Sequence, residues 1–198
     1  MSWQPATALV VVDVQNDFAD PAGGLAVAGG ADIVPVVNAA VAQAVAAGAQ
    51  VLYTQDWHPA GTPHFAINAA PGAPGTWPVH CVQDTWGAAL HPDLDVRGEV
   101  VRKGVAGEDG YSGFTMRDPV TGDVGPTLLE ALLRAAGATG LVVVGLATDY
   151  CVRATALDGR SLGWPVTVLS TAVRAVDLQP GDGEQALADL RAAGVHVQ

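Results

Sequence analysis

The sequence predicts an α/β fold, a parallel sheet covered by helices on both faces. Strand-like and helical patterns alternate over the whole length, the signature of βα repetition. Several strand candidates are unbroken apolar runs such as 141–144, as in strands buried on both faces. Ala, Val, Gly and Leu dominate while aromatics make up 6%, which suits an interior of small branched residues. A chain of 198 residues fits a single domain, taken as 1–198. No linker, repeat or low-complexity segment interrupts it.

The first run, Ala8 to Val12, ends in Asp13, and a loop follows that holds Gln15 to Phe18 and Gly23-Gly24. Residues 32–47 read as an amphipathic helix, with Asp32 as N-cap, Pro35 in the first turn and Gly48 closing it. Gln50 to Thr54 is a second strand, followed by Asp56, His58 and His64. A long Gly- and Pro-rich loop runs to about Trp86, and loops of that length in compact domains are usually functional. Glu99 to Lys103 is a short strand, and Gly104 to Gly113 a glycine-rich loop. Residues 127–136 form a helix with Leu128, Leu129, Leu132 and Leu133 inward, closed by Gly137. The buried run 141–144 leads through Gly145 to Cys151 and a helix over 152–162. A strand at 165–169, a helix at 182–193 and a short strand at 195–197 complete the alternation.

The formal net charge of -11 argues against nucleic acid or an anionic membrane as partner. The apolar runs are too short to span a bilayer. The N-terminal residues have neither a basic region nor a cleavable apolar core, so a cytoplasmic location is expected. The two cysteines, Cys81 and Cys151, are expected as free thiols in a reducing compartment.

Ligands of open parallel sheets lie beyond the carboxyl ends of the strands. Asp13, Lys103 and Cys151 end different strands, so the sheet could bring them together. Taken singly, Asp13 reads equally as a cap, Lys103 as a surface charge and Cys151 as an inert buried thiol. Together they form a nucleophile, a base and a cation. Helix-end amides beside Cys151 are expected to lower its pKa and could hold an oxyanion. Asp56, His58, His64 and His80 form a second group, on two linked loops. A carboxylate with several imidazoles suits zinc, iron or manganese, although lone histidines are more often plain polar residues. Cys81 is taken as packing, because it faces away from His80 in an extended segment.

In order along the chain, these motifs resemble the nicotinamidase/pyrazinamidase branch of the isochorismatase-like cysteine hydrolases. They are Val12 to Phe18, Gln55 to Pro59 with His64-Phe65, and Trp77 to Val82. Arg102 to Gly104, Tyr111 to Phe114 and Gly145 to Val152 follow. The resemblance implies a three-layer α/β/α fold with a mostly parallel central sheet. It implies hydrolysis of nicotinamide to nicotinate and ammonia through a thioester, with pyrazinamide as a close second substrate. A related amidase or carbamoyl hydrolase acting on another small amide is the alternative. Asp13, Lys103 and Cys151 would be catalytic. A cis peptide between Leu146 and Ala147 would turn the amides of Ala147 and Cys151 into an oxyanion hole. Phe18, Trp77 and Tyr111 would line the substrate pocket. Asp56, His58 and His80 would hold a divalent metal, with His64 a ligand only in some members. Members of the family often form homodimers.

Overall fold

In a computed structural model, residues 3–70 and 76–198 are described. Strand β1 (Thr7–Val12) leads through the single turn α1 (Asn16–Ala19) to helix α2 (Val34–Ala46), and strands β2 (Val51–Asp56) and β3 (Glu99–Lys103) follow. The hairpin strands β4 (Thr115–Arg117) and β5 (Val124–Pro126) precede helix α3 (Leu129–Ala135). Strand β6 (Gly140–Leu146), helix α4 (Arg153–Ser161), β7 (Val166–Arg174), α5 (Asp182–Ala192) and β8 (His196–Val197) follow. The sheet order is β3-β2-β1-β6-β7-β8, and every pairing in it is parallel. From β1 the chain first builds outward through β2 and β3, then returns to the other side of β1 with β6. That reversal opens the crevice in which doubly wound sheets bind ligands.

The core lies in two apolar layers, one on each face of the sheet. Alternate residues of β1 divide between them: Leu9 and Val11 pack with α2, Ala8, Val10 and Val12 with α3 and α4. This is the period-two alternation of a strand covered on both sides. Gly145 sits where β6 presses against β1. Its φ is +115°, and an added Cβ would lie 2.0 Å from the Val12 carbonyl oxygen. Only glycine fits there.

Several boundaries differ from the sequence reading. Asp32 does not cap α2; it lies in a 3₁₀ turn, Ala31–Ile33, that runs directly into the helix. Strand β2 extends to Asp56, and β7 to Arg174. The hairpin β4–β5 is additional. Leu128 is exposed, because α3 starts one residue later, with the Thr127 hydroxyl accepting the Leu129 amide; Leu129 and Leu133 are the buried pair. Both cysteines are free. Among the described residues no helix is long and apolar enough to cross a membrane.

Candidate active site

Three strand ends deliver one ionic cluster. Asp13 follows β1 directly and has a left-handed backbone, φ 48°, held by its amide on the Thr54 carbonyl at 3.3 Å. Such a conformation is uncommon outside glycine and turns the side chain sharply off the strand. Thr54 Oγ1 donates to Asp13 Oδ1 at 2.6 Å. Asp56 and Lys103 end adjacent strands and stand opposite each other in the register. The buried Lys103 ammonium lies 2.7 Å from Asp13 Oδ2 and also binds Asp56 Oδ1 and the Gly110 carbonyl. Its fourth neighbour is Cys151 Sγ, at 3.9 Å. One oxygen each of Asp13 and Asp56 and the Cys151 sulfur lie within 4.8 Å of one another.

Cys151 sits in a π-helical turn, Thr148–Val152, between β6 and α4. The Leu146–Ala147 peptide is cis. The Ala147 carbonyl accepts the amides of Tyr150 and Val152, at 3.1 and 3.0 Å, which folds the turn so that Ala147 and Cys151 both face one small cavity.

Burial sets the proton affinities. It raises Asp13 to about 6, with Lys103 pulling down and Asp56 pushing up. Burial opposes ionisation of Asp56 too, but Lys103 and His58 outweigh it and hold this carboxyl far below the usual range. For Lys103 the cost of burial is overcome by Asp13 and Asp56, so it stays charged. Burial also lifts the Cys151 thiol well above its ordinary value, and the nearby Lys103 only partly offsets this. The expected low-pKa thiolate is therefore corrected. Desolvation, joined by the charges of Asp13 and Asp56, exceeds the pull of the Lys103 ammonium, so the Cys151 proton must be taken by a base.

His64 and His80 line the same cavity from the other side, and the fully buried His58 stands against both. One ring nitrogen each of His58, His64 and His80 lies within 4.8 Å of the others. Both ring nitrogens of the fully buried His58 have no hydrogen-bond partner among the described residues. Buried nitrogens are rarely left so, and a metal ion would satisfy one of them. His64 Nδ1 meets Asp109 Oδ1 at 2.7 Å and His80 Nδ1 meets the Pro78 carbonyl at 2.8 Å, which leaves Nε2 of each for the cluster. Burial lowers His80 to about 4, so its ring is neutral and its lone pair available. Asp56 Oδ2 stands 3.8 Å from His58 Nε2. Asp56 thus joins the ionic cluster to the histidines. Gly104 has a φ of +73°, and a Cβ there would lie 2.4 Å from His58 Cε1. The three imidazoles form a set that a divalent ion takes, and Asp56 adds a carboxylate oxygen beside His58.

Phe18, Trp77 and Tyr111 all line the cavity. Trp77 Nε1 donates to the Tyr111 hydroxyl at 2.8 Å, and burial pushes Tyr111 up to about 12, so the phenol stays protonated. Sequence reasoning missed Leu25, Tyr150 and Val176, which complete the wall. It also missed Thr54 and two positioning side chains. Gln15 is fully buried; its Nε2 donates to the carbonyls of Asp56 and Ala88, and its Oε1 accepts the Asp56 amide, each at 2.8 Å. Asp17 accepts the amides of Gly24 and Cys81, at 2.8 and 2.6 Å, tying the loop of Phe18 to that of His80. Two polar residues inside an apolar strand end, Thr54 and Gln55, were a legible signal. Asp17 lies between Val12 and Phe18 in the first motif, but its partner Cys81 is 64 positions away.

This arrangement defines a hydrolase of the isochorismatase class, and the chain belongs to that family: the isochorismatase domain model matches residues 7–198. The nicotinamidase of Escherichia coli (strain K12) is 39% identical over 203 residues, covering 96% of this chain and 93% of its own length. The crystal structure of the pyrazinamidase of Pyrococcus horikoshii in complex with zinc is 36% identical. It covers 98% of this chain and 99% of its own, with a TM-score of 0.83. That of PnC1 from L. infantum in complex with nicotinate is 33% identical, covering 100% and 95%, with a TM-score of 0.86.

Proposed function

We propose that the chain is a nicotinamidase that releases ammonia from nicotinamide and, as a second substrate, from pyrazinamide. One observation carries this reading. A buried thiol lines a cavity and is backed by a carboxylate poised near neutrality and an ammonium, while the cavity's other sides are imidazoles and aromatic rings. A flat heteroaromatic amide suits that cavity: ring between Phe18 and Trp77, carboxamide toward Cys151.

Asp13 takes the Cys151 proton as the sulfur attacks the carboxamide carbon. Lys103 keeps Asp13 ionised and balances the charge. The amides of Ala147 and Cys151 hold the developing oxyanion. Asp13 then gives its proton to the leaving nitrogen, ammonia departs and a thioester remains. Asp13 next takes a proton from water as the water oxygen attacks the thioester; the C–S bond breaks, the acid is freed, and Asp13 returns the proton to the departing sulfur, restoring the thiol and the carboxylate. Asp56, His58, His64 and His80 would hold a divalent ion, zinc, iron or manganese. Such an ion supplies a Lewis-acid site that orients the heteroaromatic nitrogen. Keeping His80 neutral and Asp56 ionised is what these residues contribute to it.

The test is ammonia release from nicotinamide, pyrazinamide and a panel of small aliphatic amides and carbamoyl compounds. Nicotinamide is expected to have the highest kcat/KM. No turnover of nicotinamide with rapid turnover of a carbamoyl compound would replace this reading by a related amidase of the same fold.

A further inference from the structure

His64 is the histidine whose place in a metal site the sequence leaves open, and the contact that decides it lies outside every motif. Its backbone is fixed on both sides. The His64 amide donates to Thr62 Oγ1 at 3.1 Å, and its carbonyl accepts the Trp77 amide at 3.0 Å. The ring's orientation rests on Asp109, whose Oδ1 lies 2.7 Å from His64 Nδ1, with both side chains nearly buried. A carboxylate there makes Nδ1 the protonated nitrogen and leaves the lone pair on Nε2. Asp109 cannot easily follow the ring elsewhere. It exchanges both backbone hydrogen bonds with Arg117 of β4, at 2.7 and 3.1 Å. Arg117 Nη1 also stands 3.4 Å from Asp109 Oδ2. The hairpin β4–β5 therefore anchors a carboxylate behind one imidazole of the cluster.

We propose that Asp109 is a positioning residue that makes His64 a ligand of the metal, by fixing the orientation of its ring and aiming Nε2 at the cluster. The inference rests on the metal reading given above. A carboxylate behind a ligating histidine commonly accounts for about a 10- to 100-fold gain in metal affinity.

The test is zinc affinity of the metal-stripped full chain, measured by competition with a chromophoric chelator. Asp109→Asn keeps the size of the side chain and removes its charge; Asp109→Ala also removes the orientation. Both are expected to weaken zinc binding about 10- to 100-fold, with Asp109→Ala the weaker binder. The thermal midpoint of the metal-free Asp109→Asn chain is expected to match wild type, which separates positioning from general destabilisation. In a His64→Ala background, Asp109→Asn is expected to change zinc affinity no further. Wild-type affinity in Asp109→Asn, or a loss that persists undiminished without His64, would overturn the inference while leaving the metal reading intact. A wild-type chain that binds no zinc, iron(II) or manganese(II) would overturn both.

Discussion

The ammonium of Lys103 stands 2.7 Å from Asp13 Oδ2, and both side chains are inaccessible to solvent. Two ions out of water cost several kcal/mol each unless their geometry compensates. Here Lys103 is also held by Asp56 and the Gly110 carbonyl. A lysine so surrounded keeps its proton. The balance is decided on the carboxylate side, where Asp13 rests at about 6 because burial and Asp56 oppose Lys103. A group near 6 can both accept and return a proton close to neutral pH.

The acid limb of kcat/KM should therefore have an apparent pKa near 6, with activity rising as Asp13 ionises. Thr54 stabilises the ionised form through Oγ1. Thr54→Val should shift that limb upward by about one unit, the worth of a hydrogen bond to a charge. Activity should fall at pH 5–6 and recover at about pH 8. An unmoved limb would remove Asp13 as the titrating base. Folding carries the opposite dependence. The folded chain holds the Asp13 proton more tightly than the unfolded chain, so this group's contribution to stability is lost as pH rises through about 6.

Lys103→Met removes the ammonium and leaves two buried carboxylates facing each other. Stability in urea at pH 8 should drop by about 3–5 kcal/mol. The loss should be smaller at pH 5, where Asp13 takes up a proton more readily without its cation. Turnover should be lost at both pH values. A variant as stable and active as wild type would contradict the role given to the ion pair.

Gly104→Ala tests the histidine cluster without removing a ligand. The new methyl would strike His58 at 2.4 Å in a backbone region that disfavours side chains. His58 must move, and zinc bound per chain after dialysis against a weak chelator should fall. Full zinc retention would count against His58 as a ligand.

The aromatic wall is tested by Phe18→Leu. Losing ring-on-ring contact worth about 0.5–1.5 kcal/mol should raise KM for nicotinamide about 3- to 10-fold with little change in kcat. Steady-state kinetics at saturating metal decide it, and a fall in kcat alone would place Phe18 in the chemistry instead.

Much of this framework was legible in the sequence because buried parallel strands leave unbroken apolar runs. The residues that end those runs point to one edge, and so Asp13, Lys103 and Cys151 could be brought together on paper. The hairpin β4–β5 was not legible. Its strands have three residues each, include Gly125 and Pro126, and show little burial to create a pattern. Asp109 escaped notice because its partner His64 is 45 positions away. The thiol's raised proton affinity is not legible because a helix-end argument is local, whereas Cys151 is buried in a core cluster and faces Asp13 and Asp56, which are distant in sequence.

Cys151 as the attacking group is the claim on which the rest depends. Ammonia release from nicotinamide should be compared between wild type and Cys151→Ala at matched zinc content. The expected result is equal production of nicotinate and ammonia by wild type, and a fall of at least about 10³-fold in the variant, with zinc affinity and thermal midpoint preserved. Turnover by Cys151→Ala at the wild-type rate would contradict the thioester route and with it the assignment of Asp13 and Lys103.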